Sequence, residues 1–178
     1  MSSARLSYDL SCGRLRELGL LGHDELAPMP TRLPRYDDVE RLGVSIFRSR
    51  LSDALDLSDL SLPRTFFGRS EINSVSFRNS DLHESNLCWN DFLDVDFTRA
   101  DLARSDMRSS LFKGVRFEAA NLEDADLRRS SFVDCDFGGA AMKGAVLTHQ
   151  QGATMTLSET QRHAIDWHDQ DGPEPDGG

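Results

Sequence analysis

No stretch of the 178-residue chain is apolar over the roughly 18 residues that a membrane-spanning helix needs. The opening residues, Met1-Ser2-Ser3-Ala4-Arg5-Leu6, lack the apolar centre of a secretory signal. Cysteine is scarce. Cys12, Cys88 and Cys135 are an odd number without metal-ligand spacing, which argues against a disulfide framework and a zinc site. A reducing, cytoplasmic setting is the expectation. Basic charge is in deficit: 20 Lys and Arg against 30 Asp and Glu give a net charge of −10 and a pI near 4.9. A polyanion such as nucleic acid or an anionic membrane is therefore a poor partner. Also missing are a Gly-x-Ser-x-Gly elbow, a Gly-rich phosphate loop and a Cys–His pair at ligand spacing. These gaps predict a protein that is not an enzyme and that uses no metal or cofactor.

What is present is a five-residue rhythm. Phe, Ile, Leu and Met make up 41 of the 178 residues, yet one of them stands at every fifth position from Phe67 to Leu147. Neither a helix period of about 3.6 nor a strand period of about 2 gives this spacing. A second column stands two places earlier, from Ser70 to Ala145, and holds nothing larger than Val or Asn. Large and small columns imply two kinds of inward position, and the polar residues between them face water. Cys135 falls in the small column, so core packing is its expected role. Aromatics recur every twenty residues, as Phe92, Phe112 and Phe132 and as Phe97, Phe117 and Phe137. Four five-residue faces per coil would stack each trio at about 4.8 Å per coil.

The units Ser80-Asp81-Leu82-His83-Glu84, Ala100-Asp101-Leu102-Ala103-Arg104 and Ala125-Asp126-Leu127-Arg128-Arg129 carry a small residue, an Asp, a Leu and two further residues. Over about residues 65–149 the chain resembles the pentapeptide-repeat family. The resemblance implies an all-β solenoid, a right-handed quadrilateral β-helix. Leu111, Arg116, Ala141 and Val146 depart from the motif in the Asp/Asn place.

The flanks do not repeat. Residues 1–43 form a segment with short helices, one starting near Ser11 and ending near Gly22, another turn over 37–43. The repeats are assigned to 44–149, with an irregular first coil over 44–66 framed on Phe47, Leu57 and Leu62 and broken at Ser52. Gln150-Gln151-Gly152 reads as a break. Ser158-Glu159-Thr160-Gln161 has capping-box spacing, so residues 150–168 are assigned to a capping element with a helix over about 159–168. Leu157, Ile165 and Trp167 are placed over the end of the last coil, and any homodimer is assigned to this helix. Residues 169–178 read as a disordered acidic tail.

Two surfaces are candidates. Trp89, Cys88 and Leu93 are expected to point outward around one corner, with Arg69, Arg108, Arg128 and Arg129 in the neighbouring columns. An exposed aromatic among arginines has the composition of a protein-contact site. The alternative is that the N-terminal segment folds back over Trp89. The second surface is an acidic column of Asp81, Asp96, Asp101, Asp106, Asp126 and Asp136. The resemblance implies that such carboxylates imitate DNA in family members that bind DNA gyrase or topoisomerase and give drug or toxin resistance. The bland reading is that each carboxylate bonds its own turn. Residues 66–147 hold fourteen acids and ten bases, a thin imitation of a duplex with one charge per about 1.7 Å. The function expected is a scaffold offering rigid faces to a protein partner. Gyrase binding and toxin immunity are the alternatives.

Overall fold

The computed structural model describes residues 4–21, 28–38, 43–172 and 174–175. Helix α1 (Tyr8–Glu17) is followed by strands β1 (Ser45–Phe47), β2 (Arg50–Leu51), β3 (Phe66–Gly68), β4 (Glu71–Asn73), β5 (Asp91–Leu93), β6 (Leu111–Lys113), β7 (Ser131–Val133) and β8 (Val146–Thr148). Helices α2 (His149–Thr154) and α3 (Glu159–Ala164) and strand β9 (Asp166–His168) end the chain. The middle is a β-solenoid with four faces. Parallel pairing sets each residue above the one twenty places on, as in Phe92↔Phe112 and Phe112↔Phe132.

Each face follows from its five residues. The large hydrophobe points to the axis, and Phe77, Leu82, Leu87, Phe92, Phe97, Leu102, Met107 and Phe112 are all buried. The chain then turns sharply. At every corner from Arg69 to Gly144 the residue two places after the hydrophobe has a φ between 51° and 70°. The small residue closes the turn, its amide donating back across three residues, as Ala100 N does to Phe97 O at 2.9 Å. The next coil takes up the remaining groups, with Leu82 N donating to Asp101 O and Asp101 N donating to Ser80 O, both at 2.8 Å.

The aromatic columns stack as the twenty-residue rhythm predicts. Phe92, Phe112 and Phe132 lie ring on ring at 4.9 and 5.2 Å, and Phe97, Phe117 and Phe137 at 5.5 and 4.9 Å. Adjacent columns meet edge to face, Phe112 with Phe117 at 5.7 Å. Such pairs add about 0.5–1.5 kcal/mol each beyond their burial.

Left-handed corners suit glycine, yet only Gly114, Gly139 and Gly144 occupy them between Arg69 and Gly144. Ala119 is exposed with φ 53°, in the column of Gly139. A Cβ in that conformation costs about 1–2 kcal/mol, against about 0.5–1 for the freedom that glycine loses on folding. Ala119→Gly is expected to raise stability by about 0.5–1 kcal/mol in urea unfolding; a loss of stability would show that the corner carries no such strain.

The first coil is regular but one residue longer. Ile46 pairs with Phe67 and Leu51 with Ile72, each 21 places apart, whereas Asp56 pairs with Ser76 at 20. The extra residue sits in the turn between Leu51 and Asp56, where Asp53 and Ala54 both have positive φ. The inward residues there are Ile46 and Leu51, not Phe47 and Ser52, because the insertion shifts the frame by one.

Both ends of the stack are covered. Helix α1 starts at Ser7, whose side chain accepts from Leu10 N, so the N-cap expected at Ser11 lies one turn early. Ser11 is buried within the helix. Its hydroxyl donates to Ser7 O and accepts from Ser61 N, both at 2.8 Å, pinning α1 to the first coil with Cys12 and Leu15 buried beneath it. The helix stops at Leu18 before Gly19 at φ 72°; the stop expected at Gly22 and most of the turn expected over 37–43 fall outside the described residues.

At the other end, the break expected at 150–152 is helical, and the helix expected over 159–168 ends at Ala164. Ile165 is extended, and β9 adds to β8, satisfying that edge through Asp166 N to Ala145 O at 2.9 Å. Two capping boxes, Thr148 with Gln151 and Ser158 with Gln161, orient the glutamines. Gln151 Nε2 donates to Leu127 O and Ser130 O; Gln161 Nε2 donates to Phe137 O and Ala140 O. The caps thus supply donors that a further coil would have supplied. Ile165 is buried, and Leu157 and Trp167 pack on the core beside it.

Candidate interaction surfaces

The first face runs down the row Asn86, Asp106 and Asp126, and the second is the five-stranded sheet β2-β4-β5-β6-β7. Between them a corner carries Arg69, Trp89 and Arg129, each at a left-handed φ. Behind it runs a polar ladder. Ser49 N donates to Ser70 Oγ, Ser70 N to Asn90 Oδ1, Asn90 N to Ser110 Oγ and Ser110 N to Ser130 Oγ, all at 2.9–3.1 Å. This explains why the small column is Ser or Asn at every coil here, whereas Val and Ala enter it elsewhere. Sequence reasoning recorded these residues only as small.

Of the residues expected at the Trp89 corner, Arg69, Trp89 and Arg129 stand on it, Cys88, Arg108 and Arg128 lie on the first face, and Leu93 lies at the far end of β5 on the second. Cys88 is not outward: it is 2% exposed, and its thiol donates to Asp106 O. Burial, reinforced by the Asp106 charge, pushes that thiol far up, so it stays neutral. Trp89 is half-buried at φ 60°, with its indole Nε1 buried and without an acceptor among the described residues. Arg108 grips Asp106 in a two-point contact at 2.8 and 2.6 Å, and Arg128 grips Asp126 likewise at 2.9 and 2.7 Å. Their side chains are only 16% and 17% exposed. Arg69 lies over the Tyr36 ring. Tyr36 itself packs on Phe47 and Phe66, and Pro34 O accepts from Asn86 Nδ2 at 3.0 Å. The N-terminal segment therefore covers the upper first face.

Asp171, Gly172 and Glu174, from the segment expected to be a disordered tail, lie against the lower first face; residues 173 and 176–178 of that segment fall outside the described residues. Arg129 is its anchor: its backbone N donates to Asp171 Oδ1, its side chain donates twice to Gly172 O, and Nη1 meets Glu174 Oε1 at 3.2 Å.

The six acidic-column residues are not on one face. Asp106 and Asp126 lie on the first, Asp96 and Asp136 on the third, Asp81 and Asp101 on the fourth. Each accepts the backbone amide two residues on, as Asp96 does from Thr98 N at 2.9 Å and Asp136 from Gly138 N at 2.8 Å. Asp96 also holds Arg78 and Arg116 at 3.0 and 2.7 Å. Burial opposes its charge, but the Thr98 bonds and the two arginines prevail and keep its pKa below the ordinary carboxylate value.

On the fourth face Asp81, His83 and Asp101 bring ligand-type atoms within 4.8 Å of one another. Their oxygens are already in use: Asp81 Oδ1 bonds the His83 ring and amide, and Asp101 Oδ1 accepts from Ala103 N and Asn121 Nδ2. Among the described residues no helix is long and apolar enough to cross a membrane.

The second face differs in character. Its outward positions include Leu93, Leu111 and Val133, with Val133 42% exposed. Leu93 and Val133 stand one above the other with Lys113 between, and Leu111 lies diagonally beside Leu93. Leu111 stands where the repeat places Asp or Asn.

Comparison with known proteins agrees with this architecture. Residues 110–148 match the family model for Pentapeptide repeats in eight copies. No curated protein matches the chain. Among solved structures, the pentapeptide repeat protein Rfr23 from the cyanobacterium Cyanothece 51142 superposes with a TM-score of 0.53 at 20% identity, over 56% of this chain and 80% of that one. HetL, a pentapeptide repeat protein involved in heterocyst differentiation regulation from Nostoc sp. strain PCC 7120, gives 0.49 at 20% identity, over 58% of this chain and 46% of its own. QnrB1, a plasmid-mediated fluoroquinolone resistance protein, gives 0.27 at 9% identity, over 71% of this chain and 91% of its own. Identities at this level speak to fold alone. With the five-residue period and the four-faced coil in place, residues 110–148 carry pentapeptide repeats and the chain shares the fold of pentapeptide-repeat proteins.

Proposed function

We propose that this protein is a non-enzymatic binding scaffold that docks a protein partner on its second face, next to the Trp89 corner. One observation carries the reading: Leu93, Leu111 and Val133 put apolar side chains on the outside of a rigid five-stranded sheet. An outward Leu in the Asp/Asn place forgoes the turn bond that Asp96 and Asp101 make. Leu93, Leu111 and Val133 gathered around Lys113 on a flat sheet, with Asp91 and Glu71 beside them, mix apolar and charged side chains as protein contacts do. The coil cannot deform without breaking its ladders, so such a face binds as a preformed surface.

The carboxylates favour this over DNA mimicry. They are spread over three faces, bond their own turns, and at Asp96, Asp106 and Asp126 are neutralised by arginines. DNA gyrase or a toxin would be identified as the partner by capture, and either would identify the role as resistance or immunity.

The test compares the wild type with a Leu93→Asp/Leu111→Asp/Val133→Asp variant as bait in native lysate, followed by affinity measurement on the captured protein. Truncating contact residues costs about 1–3 kcal/mol each where they are hot spots, so affinity is expected to fall at least about tenfold. Surface substitutions here leave the thermal midpoint nearly unchanged. Equal capture by both baits would remove the second face from the reading.

A further inference from the structure

The first face holds a peptide-shaped groove, and the chain itself shows what fits. Of the stretch Asp-Gly-Pro-Glu-Pro at 171–175, the described residues Asp171, Gly172 and Glu174 lie at Arg129 and Pro175 lies near Arg108, one coil above. At the lower end Asp171 and Arg129 line a cavity of about 390 Å³ with Thr148, Gln151 and Thr154. In the middle, Arg129 receives Asp171, the Gly172 carbonyl and Glu174. Gly172 is at φ 65°, and a Cβ there would lie 2.5 Å from Arg128 Nη1, so the segment passes against the arginine row with no room to spare. At the upper end the buried Pro175 lines a cavity of about 220 Å³ together with Leu33, Tyr36, Asn86 and Arg108.

We propose that this groove is a docking site for an extended, acidic, proline-containing segment of a partner protein, and that the protein's own residues 171–175 occupy it as a competitor. Three features set the chemistry. Arg108 and Arg128 are tied to Asp106 and Asp126, so Arg129 meets the segment's acids, its amide holding Asp171 and its side chain Glu174, which selects carboxylates three residues apart. Its side-chain contacts to the Gly172 carbonyl read the backbone of the segment as well as its acids. At the upper end a proline, Pro175, is buried at the edge of the cavity that Tyr36 and Leu33 also line, and a proline-rich segment has little backbone freedom to lose on binding. Because the resident segment is tethered, its effective concentration is on the order of millimolar. A partner segment therefore binds only when it outcompetes that, which makes the tail a threshold on docking. The proposal concerns the first face and does not depend on the second-face reading.

The probe is a fluorescent peptide reproducing residues 169–178, read by anisotropy against the full-length chain. Gly172→Val in the protein displaces the resident segment through the contact with Arg128, outside the coils. The peptide is expected to bind the Gly172→Val protein at least about tenfold more tightly than the wild type. Adding Arg129→Ala, or raising salt to about 0.5 M, is expected to remove most of that binding. A peptide with both prolines replaced by alanine is expected to bind several-fold more weakly. Equal binding to wild type and Gly172→Val protein, or none to either at millimolar peptide, would overturn the proposal. So would equal binding of the alanine peptide, which would reduce the contact to unspecific charge attraction. Unchanged thermal midpoints confirm that the variants report on the groove and not on the coil.

Discussion

Phe112→Ala is expected to lower the free energy of unfolding by about 3–5 kcal/mol. Phe112 is wholly buried, stacked between Phe92 at 4.9 Å and Phe132 at 5.2 Å and met edge-on by Phe117. Truncation removes the ring's burial, breaks two stacked contacts and leaves a cavity in mid-column that the neighbours cannot fill, since each is held by its own coil's backbone ladder. In a solenoid each coil touches only its neighbours, so the loss interrupts the stack between the coils above and below. With a total stability of the order of 5–15 kcal/mol for a domain, this is a large fraction. The adjacent Leu111→Ala, pointing outward on the same strand, is expected to change stability by less than about 0.5 kcal/mol. Urea unfolding of both variants decides. A cost below about 1 kcal/mol for Phe112→Ala would mean that the aromatic column is not the core.

Gln161→Ala is expected to cost about 2–4 kcal/mol and to promote end-to-end association. The Gln161 amide donates to Phe137 O at 2.7 Å and Ala140 O at 3.1 Å, while its oxygen accepts from Ser158 N at 2.9 Å. Alanine leaves the buried Ala140 carbonyl without its donor, at about 1–3 kcal/mol, takes from the Phe137 carbonyl the second of its two donors, and removes half of the capping box. Release of α3 would uncover the last coil, whose free edge is a template for another chain. Gln161→Glu sharpens the test. The new carboxyl keeps the acceptor for Ser158 N but faces two carbonyls. Its folded-state pKa is thereby raised, so the protonated form is favoured and the penalty grows as pH rises past the ordinary value of about 4.3. Thermal melts from pH 4 to 7 and sedimentation at several concentrations read both effects. A Gln161→Ala protein that melts like the wild type and stays at the same mass would show that the cap is not held by this amide.

The surfaces were only partly legible. That Arg69, Trp89 and Arg129 share one corner follows from counting in twenties. Their engagement does not. Arg108 and Arg128 fold back on the carboxylates two residues before them, a choice between partners that spacing leaves open. Cys88 is buried because residues 33–36 and 175 lie against the first face beside it, and nothing in the repeat predicts where the flanks run. The polar ladder from Ser70 to Ser130 carried a signal, Ser and Asn recurring every twenty residues, that size alone concealed. Thr148-His149-Gln150-Gln151 likewise has the spacing recognised at Ser158–Gln161.

By itself the sequence determined the coil: which side chains line the axis, how many faces surround it and where the aromatics stack. It can do so because in a repeat every inward residue packs on copies of itself one coil away, so a local period already encodes the long-range contact. Only the tertiary structure decided the frame shift between Leu51 and Asp56, the strand β9 where helix was expected, and the course of the two flanking segments over the first face. Those features depend on contacts between residues with no periodic relation, tens of positions apart, and they exist only once the coil has given them a surface to meet.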